Sequence, residues 1–269
     1  MLRGVLIAAG LMGLAFAAAP EAAAFDSSTA APSGHLSPEE ARDFSKQIEQ
    51  ALAEHGAQVA IVFRAGRPRE KLPDGFDYTH GAFWVYQPAQ LPDGRKVTGY
   101  AVYNLYSGDG ERLPTTKSKL VQDFPFDFVA ASHEDDVAII IPAPEVQRRL
   151  FYVIASPDYA ALHVDDYALV SNPADARYQN CNEFMLDVLA AAIWETRDYA
   201  QIKVNLAAAF TPSRVEAGGL KRLFAPMLDG RLRTDDHDGP VKTATFESLA
   251  AFMEKNGYAE EILTLHRSD

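Results

Sequence analysis

Residues 178–184 read Tyr178-Gln179-Asn180-Cys181-Asn182-Glu183-Phe184. Asn180 is a residue type that caps helices, its side-chain oxygen accepting an orphan backbone N–H. Glu183, three positions on, completes a capping-box-like pair. Cys181 is thereby predicted to open a helix running to about Thr196, with Phe184, Val188, Ala191 and Ala192 on its core face. At a helix start, unpaired N–H groups and the positive end of the helix dipole favour a thiolate. A free cysteine is more commonly a small buried hydrophobe, but the polar neighbours Gln179, Asn180, Asn182 and Glu183 argue for an accessible thiol.

This is the one cysteine in 269 residues, so no internal disulfide framework is available. With 48% apolar residues the chain is too hydrophobic for a disordered tail. A net charge of −12 argues against a nucleic-acid binder, which needs a dense basic face.

Met1-Leu2-Arg3, the apolar run 4–19 and Ala22-Ala23-Ala24 fit a secretory signal peptide cleaved near Ala24. The run falls short of the ~20 apolar residues of a membrane span, and no later run reaches that length. The mature chain is therefore expected to carry no integral membrane segment and to be exported, in a bacterial periplasm. A lone thiol is unusual in that oxidising compartment. Residues 25–36 read as a flexible leader and 37–269 as a single α+β domain with extra helices at both ends.

Within it, Ser37-Pro38-Glu39-Glu40 starts a helix that Gly56 ends, and Val59–Phe63 reads as a strand. Phe76–Tyr86 and Val97–Tyr106 are aromatic and β-branched, joined by a turn at Pro92-Asp93-Gly94, and read as a hairpin. Val137–Ile141 is a further strand, Glu145–Ala155 a helix, Asp165–Val170 a short extended piece and Phe246–Asn256 a closing amphipathic helix.

Among seven histidines only His80 falls inside a strong strand, beside a glycine that leaves room by its ring. It is the candidate general base for Cys181. Thr79-His80-Gly81-Ala82-Phe83 on a strand, followed much later by Asn180-Cys181-Asn182-Glu183-Phe184 opening a helix, resembles the circularly permuted papain-like group. That group includes the NlpC-type hydrolases and lecithin:retinol acyltransferase-like proteins. The chain also resembles an exported bacterial family of unknown function, through the Arg64-to-Arg67 stretch ahead of Tyr78-Thr79-His80-Gly81.

The resemblance implies an antiparallel sheet packed on the cysteine helix and a third polar residue, on the next strand, orienting the imidazole. Asn104 and Ser107 are the candidates, with Asn104 favoured. A two-residue turn at Asp93-Gly94 sets Ser107 opposite His80, whereas a bulge or odd-length loop favours Asn104, the better acceptor for an imidazole N–H. Tyr178 is a candidate oxyanion donor beside the Cys181 backbone N–H. Arg64 and Arg67 are candidate holders of an anionic substrate group.

The expectation is an exported cysteine hydrolase or acyltransferase, passing an amide or ester through an acyl-thioester without metal or cofactor. Its partner is a small-molecule, peptide or lipid substrate. The alternative is a catalytically inactive binding or envelope-structural protein on the same fold. A metal-dependent hydrolase built on Asp235-Asp236-His237-Asp238-Gly239 ranks third, because that stretch matches no full EF-hand loop and reads as a solvated acidic turn.

Overall fold

A computed structural model describes residues 34–90, 94–216 and 230–268. The segment read as a signal peptide and most of the leader lie outside them. The last leader residues are docked: Gly34 and His35 donate backbone hydrogen bonds to Ala130 and Ser132.

Helix α1 (Pro38–Glu54) begins with the capping box expected from Ser37 and Glu40. Strand β1 (Val59–Arg64) is buried at every residue and lies at the centre of a six-stranded antiparallel sheet. The order is β4-β3-β2-β1-β5-β8, with β2 His80–Gln90, β3 Lys96–Ser107, β4 Ser118–Asp123, β5 Asp136–Pro142 and β8 Ala259–His266. A short pair, β6 (Ser213–Arg214) and β7 (Lys242–Thr243), forms a second sheet.

Side chains alternate across a strand, and the sheet buries both faces. On one, Ala60, Val62, Ala82, Trp84, Val102 and Ile139 join Phe44 and Ile48 of α1 and Phe128 of α2 (Pro125–Ala130). On the other, Val59, Ile61, Phe63, Phe83, Val85 and Ile140 pack with α3 (Pro144–Ile154), α5 (Cys181–Ile193) and α7 (Phe246–Lys255). Helices α4 (Pro157–Ala161) and α6 (Tyr199–Ala209) complete that layer.

The fold is thus α+β, an antiparallel sheet with the cysteine helix packed on β2 and β3. Burial of α5 is not confined to one face: all thirteen residues are inside, the polar Asn182, Glu183 and Asp187 among them. Phe76–Thr79, read as strand, precedes β2 instead, held by a Phe76 N–H to Pro73 bond and a Thr79 N–H to Arg64 bond. Among the described residues, no helix is long and apolar enough to cross a membrane.

Candidate active site

The Cys181 helix starts as its sequence dictates, with the Asn180 side chain accepting the Glu183 N–H at 3.0 Å. The reciprocal half of the expected capping box is absent. The Glu183 carboxylate turns to Lys203 of α6 at 2.6 Å, and Lys203 also reaches Asp187 at 2.8 Å.

The polar residues flanking the cysteine are buried rather than solvated, which corrects the expectation of an open first turn. Gln179 bonds Val164, Leu162 and Asp187, and Asn180 bonds Leu169 and Thr243. Asn182 donates to the Ala244 carbonyl. Cys181 itself is 6% exposed. Its thiol faces the Thr79 carbonyl at 3.8 Å and Asn182 Oδ1 at 3.7 Å.

Burial pushes the Cys181 thiol above its ordinary pKa. The N–H groups of Gly81, Asn182 and Cys181 and the charge of Arg64 pull the other way without overcoming it. The resting sulfur is a neutral thiol, not the thiolate that the helix start alone favours.

The thiol nonetheless lines a cavity of about 150 Å³, together with the apolar Phe76, Tyr78 and Leu169 and the polar Arg67, Asn180 and Thr243. Burial and the neighbouring Arg231 hold Arg67 below its ordinary pKa.

His80 stands at the first position of β2, directly against the Cys181 sulfur's backbone contact at Thr79. Pairs of β2 and β3 run Phe83↔Tyr103 through Gln90↔Lys96, a register that continues to Tyr106, not Ser107, opposite His80, while the turn read at Pro92-Asp93-Gly94 falls largely outside the described residues. That register sets Asn104 and Tyr106 on the His80 face. His80 Nε2 lies 3.0 Å from Asn104 Oδ1, and the Tyr106 ring stacks on the imidazole at 4.9 Å. Ser107 instead pairs with Ser118 of β4.

Burial first, then the charge of Arg64, push the His80 pKa down to about 3, against the Asn104 hydrogen bond. The ring is therefore neutral at pH 7. Its ring packs on Phe128 of α2, on the sheet face opposite α5, so the structure does not bring imidazole and thiol together, and no hydrogen bond joins them among the described contacts of either residue.

Gly81 does not make room beside the imidazole. A Cβ there points to the opposite face, 2.2 Å from Met185 Cε and 2.7 Å from the Phe63 ring. Its lack of a side chain lets α5, and Cys181 with it, approach the strand.

Arg64 is buried behind the site, donating to the Ala131 carbonyl and lying over the Phe128 ring. The Tyr178 hydroxyl donates to Asp235 at 2.9 Å and lies under Arg233, outside the Cys181 cavity lining. His237 Nε2 bonds the Val170 carbonyl at 2.8 Å. Among the described residues no group of three or more His, Cys, Asp or Glu side chains is arranged to hold a metal ion.

Sequence reasoning missed Asp123 at the end of β4. Its Oδ2 takes hydrogen bonds from Asn104 Nδ2 at 3.1 Å and from the Tyr106 hydroxyl at 3.2 Å. Its neighbours in sequence carry no motif, and only strand pairing brings it to His80.

The profile of a family of uncharacterized proteins conserved in bacteria, DUF2145, matches residues 51–253, more than half of the chain and all of these residues. The chain belongs to this family. Comparisons with curated proteins and with solved structures find no match. The matched span runs from within α1 to near the end of α7, so it takes in the cysteine helix and five of the six strands of the main sheet.

Proposed function

We propose that the chain is an exported cysteine hydrolase or acyltransferase of papain-like design, with Cys181 as nucleophile, His80 as base and Asn104 orienting the imidazole. The observation that carries this reading is the His80 Nε2 to Asn104 Oδ1 contact at 3.0 Å, on a strand whose start lies against the Cys181 sulfur. Asn104 occupies Nε2, so Nδ1 is the ring nitrogen left to exchange a proton.

The chemistry starts from a neutral pair. Because the His80 ring rests on Phe128, on the sheet face opposite α5, the transfer runs through a relaying water at the start of β2: as an ester or amide carbonyl binds, the Cys181 S–H proton passes to that water, the water passes a proton to His80 Nδ1, and the S–C bond forms. The Cys181 N–H faces the developing oxyanion. Collapse breaks the bond to the alcohol or amine, which leaves with the imidazolium proton. Water or a second acceptor then cleaves the acyl-thioester. Thiolate and imidazolium offset each other's burial cost, so each pKa shift of the resting state eases as the pair charges together.

The cavity favours a compact acyl group. Its volume of about 150 Å³ suits a small acyl group, and Arg67 on its wall suits one carrying a carboxylate.

The test is the rate of Cys181 alkylation by iodoacetamide against pH. A base at His80 makes the His80→Ala variant react at least about tenfold more slowly at neutral pH than the parent. Equal rates remove His80 from the reaction. A second reading, an inactive binding protein on this fold, is favoured by the raised thiol pKa and the missing sulfur–imidazole hydrogen bond. It expects equal alkylation rates.

A further inference from the structure

The geometry points to Asp123 as a positioning residue that fixes the tautomer of His80 through Asn104. This rests on the reading of His80 as the base for Cys181.

Three hydrogen bonds connect Asp123, Asn104, Tyr106 and His80. Asp123 Oδ2 receives two donors, Asn104 Nδ2 at 3.1 Å and the Tyr106 hydroxyl at 3.2 Å. A carboxylate oxygen only accepts, so the NH2 end of the Asn104 amide must face Asp123. The carbonyl end therefore faces His80, with Oδ1 3.0 Å from Nε2. A carbonyl oxygen also only accepts, so Nε2 carries the ring proton. A neutral imidazole has one such proton, which leaves Nδ1 with its lone pair.

Burial makes this chain decisive. Asn104 is 1% and Asp123 2% exposed, so bulk water cannot stand in for either partner. The other contact of the amide, Asn104 Nδ2 to the Val102 carbonyl at 3.5 Å, is too long to set its orientation. The Tyr106 stack at 10° between ring planes holds the imidazole flat but treats both tautomers alike. Arg64 hydrogen-bonds Tyr106, whose hydroxyl in turn bonds the buried carboxylate. If the amide flips, Nδ2 meets Nε2, the proton moves to Nδ1, and the base is lost. Asp123 is the group that forbids the flip.

The test is the imidazole 15N spectrum of the full chain labelled at histidine, with the His80 signals identified by their loss in His80→Gln. The parent is expected to show His80 as the Nε2–H tautomer alone near neutral pH. In Asp123→Asn the new side chain can donate as well as accept, so Asn104 adopts both orientations and a second His80 tautomer appears. In the double variant Asp123→Asn/Asn104→Asp the acceptor-only group stands next to His80, and the single Nε2–H tautomer returns. Circular dichroism confirms the fold of each variant. An Nδ1–H tautomer in the parent overturns the proposal, and so does an unchanged His80 spectrum in a folded Asp123→Asn variant. The parent spectrum decides even if both variants fail to fold. None of these signals depends on turnover, so the expected tautomers with no acylation of Cys181 would end the hydrolase reading while leaving the positioning chain standing.

Discussion

At the scale of single residues, the site is governed by burial overriding local electrostatics. The cap at Asn180 was legible because it is a local pattern of four residues. The fate of the thiol was not, because Leu169, Thr243 and Ala244 close over it from distant parts of the chain. Glu183 shows the same competition. Burial pushes its pKa up to about 8, from an ordinary value of 4.5, with Lys203 opposing and Asp187 adding to the rise. The native state thus keeps a proton that the unfolded chain releases. Between pH 4.5 and about 8 the folded form binds more protons, so this group's stabilisation is complete below that window and is lost as pH climbs through it. Glu183→Gln removes this group's share of the slope, leaving that of Asp187, which burial also raises. Urea unfolding should show the variant gaining on the parent from pH 5 to 8, with the difference level above that. A difference independent of pH would contradict the assignment.

At the scale of elements, Cys181 is placed by the contact between α5 and β2. Gly81 is the hinge of that contact. Gly81→Ala sets a methyl within 2.7 Å of the Phe63 ring and 2.2 Å of the Met185 terminus. The methionine end can swing aside, whereas the ring is part of the core. The cost should be about 1–3 kcal/mol in denaturant unfolding, together with faster iodoacetamide labelling of Cys181 as α5 lifts from the strand. Labelling that stays as slow as in the parent would show that α5 does not shift.

The elements themselves were legible where periodicity is strong, as in β1, β5 and α1. The choice between Asn104 and Ser107 was not. It turns on the parity of one loop, and a slip of one residue sends every side chain of a strand to the other face. Asn104 shares a face with His80 because Gln90 pairs with Lys96, which sets an even-numbered residue of β3 opposite each even-numbered residue of β2.

At the scale of the molecule, the sheet is closed on one side by a strand the sequence did not announce. Residues 259–266 alternate weakly and stay half exposed, because β8 is an edge strand covering β5. Strand β5 is buried at every residue and reads Asp136-Val137-Ala138-Ile139-Ile140-Ile141-Pro142. A chain ending at Tyr258 would expose that apolar edge, which is a template for pairing with other chains. Such a truncation should elute as aggregate in size-exclusion chromatography, while the full chain does not. A monomeric truncated protein would assign β8 a role other than edge protection.

The central claim is that Cys181 accepts an acyl group with His80 as its base. Its most direct measurement is the intact mass of the full chain after exposure to p-nitrophenyl hemisuccinate, a compact ester with a free carboxylate for Arg67. The expected result is one succinyl group on Cys181, none in Cys181→Ala, and formation slowed roughly a hundredfold in His80→Ala. A parent protein that remains unmodified, or an adduct that forms equally fast without His80, would contradict it.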